Sequence, residues 1–211
     1  YGNATMSITR TIIFTVGLLF SMTANANLIV GGNFNDATDL NAWFLGGDSL
    51  PMISGNAFGL APQEGAGYLA FTGNSSSPSN PYGSARQVIN GLTIGQNYDF
   101  SYYFGGRGQE DDDNAIVRAS ISTINSGISG DIYDATHVTN DPIGVWNLVS
   151  SSFKAAATSV FLSFDEVSTD SSSRGPAIDT ASITAAVPTP ATLALLGLGL
   201  VGLGWSRRKK A

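Results

Sequence analysis

Between residues 27 and 186, apolar and polar side chains alternate in short runs separated by clusters of Gly, Asn, Pro and Ser. A two-residue period is that of a half-buried strand, and no stretch of this region keeps a helical period. The clearest run is 97–104, where Tyr98, Phe100, Tyr102 and Phe104 share one face and Asn97, Asp99, Ser101 and Tyr103 share the other. The first face predicts core and the second predicts solvent. Val160, Leu162 and Phe164 alternate in the same way, with Ser163 and Asp165 outward. Weaker runs at 28–30, 68–72, 84–89, 115–121, 146–153 and 178–184 bring the expectation to about eight strands. That number predicts an all-β body built as one sandwich, not two domains. Gly91 and Gly95 bracket a tight connection, while 74–81 and 168–176 read as long polar loops, where binding groups concentrate. The region has no internal repeat, which excludes solenoids and propellers.

Both ends of the chain depart from this pattern. Arg10, an apolar run at 12–20 and then Ala24-Asn25-Ala26 supply a cationic start, a hydrophobic stretch and small residues at the −3 and −1 positions of a cut. That is the pattern of a secretory signal peptide, with Met6 as the expected initiator and Asn27 as the first mature residue. At the other end Val187-Pro188-Thr189-Pro190 interrupts the chain, 191–205 is uncharged and mostly apolar, and Arg207-Arg208-Lys209-Lys210 follows. Fifteen helical residues reach about 22 Å, short of a ~30 Å hydrocarbon core, so the tail predicts a short, marginal transmembrane helix. Trp205 and the cations suit the cytoplasmic interface, which would hold the body outside the membrane. Three parts are therefore expected: leader and signal helix at 1–26, a β-sandwich at 27–186, and a C-terminal tail at 187–211.

Composition narrows the function classes. Of the 211 residues, 43% are hydrophobic and 12% charged, which fits a folded chain and not a disordered one. With no Cys and with His137 as the single histidine, neither a disulfide framework nor the usual zinc ligand sets can form. All sixteen acidic residues lie between Asp36 and Asp179 against five basic ones in that span, a balance of −11. Such a body repels phosphate backbones and excludes nucleic acid as a partner.

No catalytic constellation is visible: there is no Gly-x-Ser-x-Gly elbow, no His-Glu-x-x-His and no phosphate loop with Lys. Asp165 and Glu166 are neighbours on a strand, face opposite ways, and so cannot flank one glycosidic bond. His137 sits in the polar stretch Thr136-His-Val-Thr and reads as a surface imidazole. The expectation is a non-catalytic protein. A sugar-binding surface needs exposed aromatic faces flanked by hydrogen-bonding side chains, and Tyr82, Tyr103 and Tyr133 are the candidates. Trp43 and Trp146 read as core. The acidic run Glu110-Asp111-Asp112-Asp113-Asn114 lacks the spacing of a calcium loop and reads as solvated, with a cation site as the alternative.

The Pro-x-Pro element, short Gly/Leu/Ala helix and terminal basic cluster resemble the PEP-CTERM sorting signal of Gram-negative bacteria. The resemblance implies recognition by an exosortase after signal peptidase has acted, cleavage near the Pro motif, transient anchoring in the inner membrane, and final residence at the cell surface or outside the cell. Thr189 stands where that signal usually has Glu; an ordinary C-terminal anchor is the alternative.

A second resemblance covers the body. Asn27-Leu-Ile-Val-Gly-Gly-Asn-Phe34, Trp43, Gly67-Tyr68-Leu-Ala, the run from Gln87 to Tyr102, Trp146 and Gly175-Pro-Ala-Ile-Asp179 are similar to galactose-binding-like jelly rolls, which include many carbohydrate-binding modules. That resemblance implies a jelly-roll sandwich. It also implies a structural calcium where first and last strands meet, at Asn35 and Asp179 with Asp36 adjacent. Asn35 replaces the Glu frequent there, which removes one ligand charge. The alternative is that Asp179 accepts hydrogen bonds from loop amides. Together these readings predict an exported, surface or matrix glycan-binding module, or else a structural biofilm-matrix protein acting through protein contacts.

Overall fold

A computed structural model describes residues 26–47, 52–56, 59–71, 83–106, 115–125, 131–139, 142, 144–167 and 175–186. The signal segment through residue 25 and the tail from Val187 onward, with Pro188, Thr189, Pro190, Arg207 and Arg208, lie outside the described residues, as do Tyr82 and the acidic run 110–114. Among the described residues no helix is long and apolar enough to cross a membrane.

Ten strands are present among these residues: β1 (Phe44–Gly46), β2 (Met52–Ser54), β3 (Tyr68–Ala70), β4 (Ser84–Asn90), β5 (Asn97–Gly105), β6 (Ala115–Ser122), β7 (Tyr133–Thr139), β8 (Trp146–Lys154), β9 (Ser159–Glu166) and β10 (Ala177–Ala185). They form two five-stranded sheets, ordered β1-β4-β9-β6-β7 and β2-β3-β10-β5-β8, with every pair antiparallel. The expected all-β sandwich is what the chain forms. Strands β7 and β8 are the terminal strands of their sheets and border the same open side of the sandwich.

The alternation in β5 is the reason for the core. Tyr98, Phe100, Tyr102 and Phe104 are buried between the sheets, and Phe164 of β9 meets Tyr102 edge-on at a centroid distance of 5.0 Å. Phe34 and Trp43 join the same cluster, their rings 5.3 Å apart. Each such ring contributes about 1.5–3 kcal/mol through burial. The connection from β4 in one sheet to β5 in the other turns at Gly91 and Gly95, whose φ of +83° and +84° lies where L side chains are strained.

Two local expectations are corrected. Residues 28–30 are not a ladder strand; Leu28 N–H donates to Ile183 O at 2.8 Å, and Asn27 clips the segment by donating to Ala181 O and accepting from Ile183 N–H. The short apolar run is held by side-chain bonds around the Asp179/Ser182 irregularity of β10. Conversely, β7 went unpredicted because its inward residues, Tyr133, Ala135, His137 and Thr139, include a single large ring and no aliphatic run.

Candidate functional site

The outward face of the sheet containing β5 and β8 carries one apolar band and a polar field. Antiparallel register sets Tyr103 opposite Leu148 on β8 and Asp179 on β10. Directly opposed residues share a face, so Tyr103 stands beside Leu148, which is 59% exposed. One pair further along, Trp146 opposes Gly105, and a Cβ built at Gly105 would come within 3.0 Å of indole Cε3. Glycine there lets the indole rest on the neighbouring strand. The indole donates from Nε1 to Ala61 O at 3.0 Å and meets Tyr68 edge-on at 5.6 Å. Trp146 therefore belongs to a small cluster outside the sheet with Leu60, Tyr68, Ala70 and Ala177, which corrects its assignment to the main core; Trp43 does lie in that core.

Beyond Tyr103 the same face turns polar row by row. Ser101 lies between Ser150 and Ser182, Asp99 between Ser152 and Thr184, and Asn97 opposes Lys154. An aromatic and aliphatic band thus borders a field of hydroxyl, amide and carboxylate groups.

The other two aromatic candidates fall elsewhere. Tyr82 lies outside the described residues. Tyr133 is on β7, half-buried, with its ring edge-on to Phe100 at 5.4 Å. It is a wall of the core and not a loop platform.

Asn35 and Asp179 meet one loop. Asn35 Oδ1 accepts from Ala66 N–H at 2.7 Å, and Asp179 Oδ2 accepts from Gln63 N–H at 2.9 Å and Glu64 N–H at 3.3 Å. Asp179 Oδ1 accepts from Thr180 N–H at 2.7 Å. Burial raises the Asp179 pKa above its ordinary value, opposed by these amide bonds. Asp36 is exposed and bonds to Thr38 instead, which lowers its pKa. Among the described residues no three His, Cys, Asp or Glu gather to hold a metal ion. A calcium ion at Asn35 and Asp179 would have to compete with the amides of 63–66 for the same oxygens.

The opposite sheet carries an ion-pair ladder on its outward face that is absent from the sequence expectations. Arg86 on β4 lies 3.3 Å from the fully buried carboxylate of Asp165 on β9, which also accepts from Ser163 Oγ at 2.7 Å. On β6, Arg118 grips Asp134 of β7 with both ends of its guanidinium. Burial raises the pKa of Asp165, opposed by Ser163 and Arg86. Glu166 faces the other way, its carboxylate near Gly175, in agreement with the alternation that separates it from Asp165.

His137 is turned inward, contrary to the surface imidazole expected. Its ring meets Tyr102 edge-on at 5.9 Å, its Nε2 is buried, and burial lowers its pKa below 6.5. It lines a cleft of about 490 Å³ between β7 and β8.

Residues 186–209 match the PEP-CTERM protein-sorting motif. The body is similar to the CBM22-1 xylan-binding domain from Paenibacillus barcinonensis Xyn10C, at 14% identity over 78% of this chain and 98% of that one, with a TM-score of 0.52. It is also similar to an arabinose-bound GH51 α-L-arabinofuranosidase, at 13% identity over 75% of this chain and 26% of that one, with a TM-score of 0.54. In sequence it is 26% identical over 164 residues to halomucin of Haloquadratum walsbyi, covering 78% of this chain; the chain spans about 2% of that relative's length. The chain carries the sorting motif of exported, membrane-sorted proteins, and its body has the jelly-roll fold of carbohydrate-binding modules.

Proposed function

We propose that this chain is an exported, non-catalytic glycan-binding module of the cell surface or extracellular matrix. On this reading signal peptidase removes residues 1–26, the tail at 187–211 anchors the protein transiently in the inner membrane of a Gram-negative bacterium, and an exosortase releases it near Val187-Pro188-Thr189-Pro190. The sorting motif at 186–209 and the carbohydrate-binding-module fold support the reading.

One observation carries the binding half: Trp146, Tyr103 and Leu148 form a band on the outward face of β5 and β8, bordered by Ser101, Asp99, Ser150 and Ser152. Apolar rings cover the C–H faces of a pyranose while the neighbouring groups bond its hydroxyls. The test is binding of the intact chain, in a non-glycosidic detergent, to a panel of neutral and acidic polysaccharides that includes the producing organism's matrix. Saturable binding that Tyr103→Ala weakens at least about tenfold, or ~1.4 kcal/mol, supports the module. Absence of binding, with self-association that rises with protein concentration, favours a structural matrix protein instead.

A further inference from the structure

The cleft between β7 and β8 adjoins the outward band, and Leu148 and Ser150 border both. From β7 it receives Thr136 and His137, from β8 Asn147 and Ser150, and Phe104 of β5 contributes its inner apolar wall. A volume of about 490 Å³ lies within the ~300–1,000 Å³ of small-molecule sites.

The chemistry of this lining is selective. No lining residue carries a full charge at neutral pH, and burial keeps the imidazole neutral. A neutral imidazole, two hydroxyls and an amide each both donate and accept hydrogen bonds, as a sugar hydroxyl does. An anionic ligand would meet no cation among the described lining residues, since Arg118 opposite Thr136 is held by Asp134, and would be repelled by a body of net charge −11. The apolar side is supplied by Phe104 and Leu148.

His137 points to something that must enter. Among the described residues its Nε2 is buried without a hydrogen-bond partner. Buried polar atoms of this kind cost free energy and are commonly satisfied by a ligand or water. The cleft is the side from which a partner for this ring can arrive.

We infer that the β7–β8 cleft is a second carbohydrate seat, taking one end or branch of a neutral saccharide through the inward-facing His137 and Asn147, with Thr136 and Ser150 on its two rims. This rests on the glycan-binding reading above and adds a place and a ligand class to it. It also makes binding sensitive to acid, since a protonated imidazole can no longer accept. The titratable groups facing His137 are Tyr102 from β5 and Tyr133 from its own strand, both held protonated by burial. Val117 opposes it from β6, β8 presents Val149 and Ser150, and the Arg118–Asp134 pair lies on the sheet's other face.

The single histidine makes the test direct, because one set of imidazole NMR signals reports the cleft in the intact, untagged chain. Xylohexaose and cellohexaose are titrated at pH 7.5 and again at pH 5. The expected result is a saturable shift of the His137 signals by at least one of them, retained in Tyr103→Ala at higher ligand concentration. His137→Gln, which keeps a donor and an acceptor, should hold affinity within about threefold and lose the loss of binding at pH 5. His137→Phe should lose the cleft contribution while its circular dichroism is unchanged. Oligosaccharide binding with unmoved His137 signals overturns the cleft and leaves the outward band standing. No binding by either oligosaccharide overturns the cleft; no binding by the wider polysaccharide panel overturns the glycan reading as well.

Discussion

Asn35 and Asp179 hold one loop from positions far apart in the chain, Asn35 through Ala66 N–H at 2.7 Å and Asp179 through Gln63 N–H at 2.9 Å. The loop in turn caps the cluster that contains Trp146, through Ala61 O. Removing the carboxylate strands the amide donors of Gln63 and Glu64, at a cost of about 2 kcal/mol. Asp179→Ala should therefore lower Tm by roughly 4–8 °C, and Asp179→Asn, which keeps one acceptor oxygen, by less. If amides alone fill these oxygens, EDTA leaves the wild-type Tm unchanged. A chelator-sensitive Tm that Asp179→Ala abolishes would assign calcium to the site.

Arg86 and Asp165 give a second stability prediction. The carboxylate is fully buried, and without Arg86 its charge rests on Ser163 and the more distant Arg118. Breaking such a pair from one side costs about 3 kcal/mol. Burial already raises the Asp165 pKa, and losing the cation raises it further. The native state then binds a proton that the unfolded state has released, so the deficit of Arg86→Ala grows as pH rises from about 4 to 7. Urea unfolding at both pH values measures it; equal deficits would remove Arg86 as the partner that matters.

How much of this was legible in the sequence depends on whether the signal was local. The period of two in β5 and β9 gave faces correctly because most of the large apolar side chains fall on one side, Tyr98, Phe100, Tyr102 and Phe104 in β5 and Val160, Leu162 and Phe164 in β9. β7 carried no such mark, and its inward histidine passed for a surface one. Trp146 was readable in principle: Phe153 is core, and residues seven apart on a strand face opposite ways, which sends the tryptophan outward. The Arg86–Asp165 pair was not readable, because it spans 79 residues and depends on the β4–β9 register. Nor does local pattern tell that Asp179 serves a loop more than a hundred residues upstream.

His137 predicts its own pH dependence of stability. Its pKa is lowered in the folded protein, so as pH falls through about 6.5 the unfolded state takes up a proton first. Stability then falls as pH drops toward the folded pKa, by at most ~1.4 kcal/mol per pH unit because a single proton is involved. His137→Gln should flatten the difference in unfolding free energy between pH 7 and pH 5.5. An unchanged slope would place the ring in solvent.

Processing of the tail has a direct readout. If the motif at 186–209 is cut, the surface-released protein lacks Arg207 through Lys210, and intact-mass spectrometry shows a C-terminus near the Pro motif. A released form that keeps its terminal cations would refute exosortase cleavage while leaving the fold untouched.

Gly105 tests the outward band without touching any group that would contact a sugar. Its Cβ would sit 3.0 Å from Trp146 Cε3 and 3.2 Å from Cζ3, tighter than most carbon contacts, so Gly105→Ala has to shift the indole slightly outward. The backbone there is ordinary strand, so alanine meets no φ strain. The indole also keeps its bond to Ala61 O only in the present pose. Expected results are a shifted tryptophan emission, little change in circular dichroism, and polysaccharide affinity reduced about fivefold to tenfold, roughly 1 kcal/mol. Gly105→Ala that shifts the emission yet binds as tightly as wild type would remove Trp146 from the binding face and leave Tyr103 and Leu148 to carry it.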